Sequence, residues 1–194
     1  MVLPPAAAGG NNIRIVSKGD GALYYDASVR YYDKAAADER SGSRKLALVR
    51  DYATLSPVQK DGRIVYREAA FNGTARPGDL LLVRLTVAGS PDWRYLMLED
   101  PIPAGTEQVE KEDLYELEQR RAWRFGSERE LRDDRTVFFL SNLSDGRAEL
   151  TYLLKVTTPG VFNAMPAHIS PMYVPEVSAS STTTKLTVAA DAAR

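Results

Sequence analysis

The single histidine of this 194-residue chain, His168, is the side chain best suited to move protons near neutral pH. A catalytic histidine also needs a nucleophile to activate and a carboxylate that orients its ring. His168 lies between Pro166 and Pro171, the sequence has no Gly-x-Ser-x-Gly turn, and it contains no cysteine. We therefore expect His168 to be an exposed or capping residue of a loop, and we expect the chain to have no catalytic residues.

Two pairs of adjacent carboxylates, Glu99-Asp100 and Asp133-Asp134, could bind a hard cation or exchange protons if they met in space. Neither pair has the spacing of a calcium-binding loop. The neighbouring Arg132 and Arg135 offer a simpler arrangement. We expect these carboxylates to cap turns and to pair with the two arginines, and we predict no metal site.

Basic and aromatic side chains alternate between Arg120 and Phe125, a pattern that can stack on bases or sugars. The chain has 25 Lys and Arg against 26 Asp and Glu, so its net charge of −1 does not favour nucleic acid as a partner. We expect Trp123 to pack and the arginines to extend along an apolar surface. No glycine-rich phosphate loop precedes a helix, and we predict no bound cofactor.

The segment from Pro166 to Glu176 contains three prolines and places Met172 beside Tyr173. A loop stiffened in this way can present an apolar, aromatic tip to a partner at little entropic cost. Alternatively, one of the two side chains fills the end of a β-sandwich. The residues alone leave both interpretations open.

Short runs of alternating apolar and polar residues recur along the chain and are separated by turn-forming residues. In the run from Lys45 to Tyr52, for example, Leu46 and Leu48 are expected to be buried and Arg50 solvated. Regular spacing of such runs predicts an all-β sandwich or barrel with one core. The predicted strands are Ile13–Val16, Ala22–Tyr32, Lys45–Tyr52, Arg63–Ala70, Asp79–Val87, Arg94–Leu98, Thr136–Leu140, Arg147–Thr157, Val161–Ala164 and Lys185–Val188.

One segment, Glu107 to Arg121, has helical character. Val109, Leu114 and Leu117 form a thin apolar stripe, and acidic residues precede basic ones, as the helix dipole favours. We predict one short helical insertion here, lying on the surface or covering a sheet edge.

Composition places the chain among ordinary globular domains, with 44% hydrophobic and 26% charged residues. Residues 1–12 are rich in Pro, Ala and Gly and do not resemble a signal peptide, so we expect a linker there. The predicted domain is 13–188, and 189–194 should form a flexible tail. A chain acting outside the cytoplasm would therefore be a piece of a longer protein, or would have lost its export signal.

Five blocks of sequence, taken in order, resemble the last domain of bacterial alpha-2-macroglobulins. The blocks are Gly78–Val87, Tyr95–Gly105, Glu130–Arg135, Thr157–Gly160 and Met172–Glu176. The most specific parts are Glu-Asp-Pro-Ile-Pro-Ala-Gly and Arg-Asp-Asp-Arg. The resemblance covers most of the chain from Gly21 to Val188.

The resemblance implies a macroglobulin-like, fibronectin III-like antiparallel β-sandwich. This domain would be equivalent to the receptor-binding domain of the animal proteins and would stand at the end of a large periplasmic peptidase inhibitor. The parent protein would contact peptidases, and a lipid anchor could hold it at the membrane. In that family a separate domain holds a Cys-to-Gln thioester, which this cysteine-free chain cannot contain. Its partners would be the thioester domain and neighbouring macroglobulin-like domains. Met172 and Tyr173 resemble the loop that shields the thioester, and the domain would move on activation.

A second hypothesis is a carbohydrate- or protein-binding β-sandwich module of a surface adhesin or an enzyme. Trp93, Trp123 and the tyrosines would then form a platform on which sugars stack. The two hypotheses differ in which domains precede this one in the parent protein.

Overall fold

The computed structural model of the chain describes residues 16, 18, 19, 24, 46–118, 127–174 and 176–190. The chain divides into two compact units, Met1–Tyr32 and Asp33–Arg194, and all described strands belong to the second. The two strands predicted before residue 33, the basic and aromatic run from 120 to 125, and the end of the predicted tail lie outside the described residues, apart from Val16 and Tyr24. The boundaries 1–12, 13–188 and 189–194 therefore stay predictions.

Nearly all the regular secondary structure in the described part of the chain is β-strand. In chain order these are β1 (Leu46–Lys60), β2 (Arg63–Ala70), β3 (Thr74–Ala75), β4 (Leu80–Gly89), β5 (Arg94–Pro101), β6 (Thr106–Gln108), β7 (Ser127–Leu131), β8 (Arg135–Asn142), β9 (Arg147–Val156), β10 (Gly160–Ala164), β11 (His168–Pro171), β12 (Ala179–Ser180) and β13 (Thr184–Val188). Every strand predicted after residue 44 is present, and β1 extends eight residues past its predicted end at Tyr52, to Lys60.

These strands form three sheets. One five-stranded sheet has the order β2-β1-β4-β9-β6, the other has the order β12-β11-β5-β8-β7, and a three-stranded sheet has the order β10-β13-β3. All pairs are antiparallel except β13 with β3. The structure confirms the predicted all-β, antiparallel sandwich.

Strand β4 shows how the sequence creates the core. It pairs with β1 on one side and β9 on the other, so it is central in its sheet. Leu81, Val83 and Leu85 face the main core, which contains residues of all three sheets, whereas Leu80 and Leu82 belong to a second apolar cluster. Because successive side chains of a strand point to opposite faces, both faces of this sheet are covered.

The second cluster is covered by the segment 109–118, called the strap here. Its backbone is bonded to both edges of the region it crosses: Val109 N donates to Leu153 O at 3.0 Å, and Tyr66 N donates to Glu116 O at 2.7 Å. Val109, Tyr115 and Leu117 pack against the cluster. The strap therefore completes the burial of the outer sheet face.

The α-helix predicted from Glu107 to Arg121 is wrong over its described residues. The helical insertion there is a 3-10 turn of three residues, Glu112–Leu114, preceded by β6. The apolar spacing that indicated a helix has another cause, because Val109 and Leu117 contact the sheet from an extended chain, while Leu114 is largely exposed. In the part of the chain that the structure describes, no helix has the length and apolar character to cross a membrane.

Candidate functional site

Met172 and Tyr173 occupy the two central positions of a tight turn. Val174 N donates to Pro171 O at 3.2 Å, the hydrogen bond that closes a four-residue β-turn. Side chains at central turn positions point away from the chain. Met172 is accordingly 49% exposed and Tyr173 78% exposed. Neither side chain fills the end of the sandwich, so the structure contradicts that alternative.

The segment Pro166 to Glu176, predicted as one loop, contains a strand before this turn. Strand β11 pairs with β5 on one side and β12 on the other, with Pro171 opposite Leu96. Ile169 and Pro171 are buried on its inner face. The turn is thus carried at the end of a strand that is paired on both edges.

Tyr95 of β5 contacts both residues of the turn. Its carbonyl oxygen accepts a hydrogen bond from Met172 N at 2.8 Å. Its ring meets the ring of Tyr173 edge to face, with the centroids 5.7 Å apart and an interplanar angle of 87°. Tyr95, Met172, Tyr173 and the partly exposed Val174 therefore form one exposed apolar surface, called the tip here.

Sequence reasoning did not single out Tyr95. The available signal was partial: Tyr95 begins the second of the five sequence blocks and Met172 begins the last. The blocks mark both residues but do not show that they touch. Their contact joins residues 77 positions apart in the sequence and depends on the pairing of β5 with β11.

A buried ion pair lies inside the sandwich. Arg50 Nη1 is 2.5 Å from Asp100 Oδ1, and both side chains are fully buried. Tyr152 donates its hydroxyl to Asp100 Oδ2 at 2.9 Å. Burial raises the pKa of the Asp100 carboxyl, and the Arg50 guanidinium opposes that rise. Burial, reinforced by Asp100, also raises the pKa of Tyr152, which keeps its hydroxyl neutral and able to donate.

The guanidinium of Arg50 also binds backbone. Its Nη1 donates to Met165 O at 2.7 Å, and its Nη2 donates to Ala164 O at 2.9 Å. These two carbonyls lie where β10 ends and the chain turns into β11. One side chain thus joins β1, β5 and the entry to the strand that carries the tip.

The expectation that Arg50 is solvated was wrong, and so was the pairing expected for Asp100. The alternation of side chains along each strand indicated burial of both residues. Arg50 lies on the same strand face as the buried Leu46 and Leu48. Asp100 lies on the same face as the buried Leu96 and Leu98. We expected solvated positions because burying an unpaired charge costs free energy. The partner that offsets part of that cost is 50 residues away.

The other carboxylates behave as expected in part. Arg135 binds Glu99 at 3.0 Å and Asp134 at 2.8 Å, which confirms the predicted pairing for these two residues. Arg132 instead binds Glu130 at 3.1 Å. The described residues contain no cluster of three groups that could hold a metal ion.

The remaining candidates lie elsewhere. His168 lies on strand β11 and not in a loop. Its side chain is exposed, as expected, and its Nδ1 is 3.2 Å from the Ser180 hydroxyl oxygen. Trp93, proposed as part of a sugar platform, is partly buried against the main core. Trp123 is outside the described residues. Two of the tyrosines, Tyr95 and Tyr173, are exposed with their rings in contact, so the sugar platform stays a prediction.

A family model and curated relatives show what the chain is similar to. The family model for the bacterial alpha-2-macroglobulin MG10 domain matches residues 46–176. An alpha-2-macroglobulin of Xylella fastidiosa strain Temecula1 is 30% identical over 183 residues, which is 88% of this chain and 10% of that protein. The chain thus spans about a tenth of the length of this curated relative.

Solved structures of this kind share the fold. Salmonella alpha-2-macroglobulin reacted with methylamine has a TM-score of 0.57 and 22% identity, covering 79% of this chain and 10% of that one. Escherichia coli alpha-2-macroglobulin activated by porcine elastase has a TM-score of 0.59 and 24% identity, covering 75% of this chain and 13% of that one.

Proposed function

Because the chain belongs to the bacterial alpha-2-macroglobulin MG10 domain family, we propose that it is a non-catalytic domain of a periplasmic peptidase inhibitor. In this proposal it packs against the thioester domain of the parent protein and shields the thioester before activation. The observation that carries the proposal is the tip, where Met172 and Tyr173 are exposed side by side on a turn fixed by two paired strands.

The chemistry of the tip suits a cover for a thioester. A thioester is lost when water attacks it, and an apolar surface that excludes water slows that reaction. A thioether and an aromatic ring together provide such a surface. A cover of this type protects the thioester by excluding water.

The properties of the relatives define what we propose for the parent. The Salmonella protein was solved after reaction with methylamine, and the Escherichia coli protein after activation by elastase. We extend both properties to the parent of this chain: a group that reacts with amines, and activation by peptidases. The partners of this domain would then be the thioester domain and other macroglobulin-like domains, in a parent that is periplasmic and held at the membrane by a lipid.

The test is a double substitution at the tip, Met172→Ala with Tyr173→Ala. In this chain the free energy of unfolding should change by about 1 kcal/mol or less, because both side chains are at the surface. In the thioester-bearing parent, the same pair should accelerate spontaneous loss of methylamine-reactive thioester several-fold before any peptidase is added. Chemical denaturation measures the first quantity, and methylamine incorporation over time measures the second.

Ile64→Ala provides the matched control, because Ile64 is an exposed apolar residue of β2 in a different sheet, at 65% exposure. It should leave thioester lifetime unchanged. An unaltered lifetime in the double variant would refute shielding by Met172 and Tyr173, and unfolding of the double variant would show that they support the fold.

The second expectation from this proposal concerns catalysis. The purified chain should not turn over peptidase or esterase substrates, since His168 is an exposed strand residue beside Ser180. Turnover is measured before and after repurification, with His168→Ala alongside. Activity that survives repurification and disappears in His168→Ala would contradict a non-catalytic role.

A further inference from the structure

Tyr95 holds the tip by two different groups. Met172 lies opposite Tyr95 in the register that pairs Pro171 with Leu96, and the 2.8 Å hydrogen bond from Met172 N to Tyr95 O extends that ladder by one residue. The edge-to-face contact, with a centroid distance of 5.7 Å, joins the Tyr95 ring to Tyr173. The backbone of Tyr95 therefore fixes one tip residue, and its side chain fixes the other.

The backbone conformation of Tyr95 is unusual for its residue type. Its φ is 52°, in the left-handed region that bulky residues rarely adopt. The pairing of β5 with β8 includes Arg94 and Leu96 on either side but not Tyr95 itself. Such a conformation persists where surrounding contacts determine it. Here those contacts include both residues of the turn.

We propose that Tyr95 is the positioning residue of the tip, which sets the orientation in which Met172 and Tyr173 meet the thioester domain. This inference rests on the proposed shielding function and adds a residue from β5 to it. Tyr95 does not contact the thioester in this proposal; it acts through the two turn residues.

The ring contact sets the expected size of the effect. Tyr173 is held at a central turn position with most of its side chain in solvent, so its rotamer depends on neighbouring rings. Edge-to-face aromatic pairs shift an equilibrium by roughly 2- to 10-fold. Loss of the Tyr95 ring should raise the ratio of other orientations to the shielding orientation by that factor, whereas the hydrogen bond to Met172 should remain because it uses the Tyr95 carbonyl.

The test compares Tyr95→Asn with Tyr95→Phe in this chain. Asn tolerates the left-handed region and has no ring, while Phe retains the ring. In Tyr95→Asn, the NMR signals of the Tyr173 ring should move towards those of an unstructured tyrosine, and protection of the Met172 amide should persist. Tyr95→Phe should leave both unchanged. Tyr95→Gly also removes the ring, with a residue that adopts this φ freely. If Tyr95→Asn folds poorly, Tyr95→Gly takes its place, and the same changes in the Tyr173 signals are expected.

A second measurement uses the thioester-bearing parent. Tyr95→Asn should accelerate spontaneous loss of methylamine-reactive thioester by roughly 2- to 10-fold, and Tyr95→Phe should not. Unchanged Tyr173 signals in both ringless variants would overturn the positioning role, even where the tip double variant shortens thioester lifetime. Conversely, altered Tyr173 signals combined with a normal lifetime in the tip double variant would support positioning by Tyr95 and would refute shielding.

Discussion

Replacing Arg50 by Met should destabilise the domain by about 3 to 5 kcal/mol, because it leaves the buried Asp100 carboxylate without its partner. Methionine replaces the apolar stem of arginine but is two atoms shorter, so part of the loss reflects the packing of the missing guanidinium. Whole domains are stable by only about 5 to 15 kcal/mol, which makes this a large fraction of the total. Urea denaturation followed by fluorescence measures the change.

The backbone contacts of Arg50 predict the result of a second variant. Arg50→Met combined with Asp100→Leu removes both charges, and an isolated buried ion pair replaced in this way often costs little. Here the carbonyls of Ala164 and Met165 and the Tyr152 hydroxyl lose their partners as well. We therefore expect the double variant to recover only part of the lost stability.

Arg67→Met is the matched control for Arg50→Met, because Arg67 pairs with Glu118 at the protein surface, at 2.7 Å. It should change stability far less, as exposed ion pairs usually do. A loss of stability in Arg50→Met no larger than in Arg67→Met would show that the buried pair does not hold the sheets together.

Gly105→Ala should destabilise the domain by about 2 to 5 kcal/mol, through backbone strain and overpacking together. Gly105 has a φ of 82°, which disfavours any residue with a Cβ. A Cβ here would lie 2.8 Å from Phe162 Cζ and 2.9 Å from Thr158 O. The phenyl ring could rotate away, but the carbonyl belongs to backbone and cannot. Thermal unfolding and denaturant titration both measure the loss.

Gly62→Ala separates the two causes. Gly62 has a similar φ of 76°, but a Cβ there would meet nothing within 4 Å. It should cost about 1 to 2 kcal/mol from strain alone. Adding Phe162→Leu to Gly105→Ala should relieve the ring contact and leave the contact with Thr158. Equal losses in Gly105→Ala and Gly62→Ala would show that the close approach to Phe162 and Thr158 is without consequence.

The Gly105 site brings two separate sequence blocks into contact. Gly105 ends the block Tyr95–Gly105, and Gly160 ends the block Thr157–Gly160. A Cβ at Gly160 would lie 2.7 Å from Phe162 Cζ, so both glycines leave room for the same ring. Backbone hydrogen bonds from Thr157 N and Thr158 N to Gly105 O join the two blocks directly. The blocks are thus two sides of one packing contact.

The sequence by itself determined the eight strands predicted after residue 44, but not the short strands β3, β6, β7, β11 and β12. Alternation is a local property, so the phase of Leu46 and Leu48, or of Leu96 and Leu98, can be read without knowing any partner. The adjacent Met172 and Tyr173, placed among prolines, left an exposed tip and a buried plug equally open, and the structure shows both side chains exposed. The family blocks added the type of sandwich, which the described strands confirm.

Tertiary structure alone decided which groups meet. Arg50 and Asp100 each occupy a buried phase, but whether a buried charge is tolerable depends on a partner brought close by the pairing of distant strands. The same holds for Tyr95, whose neighbours at the tip come from β11. The helical spacing of Val109 and Leu117 was misleading for the same reason. Apolar spacing indicates which residues need burial, but not the backbone conformation that buries them. Here the sheet face beneath the strap determined that conformation.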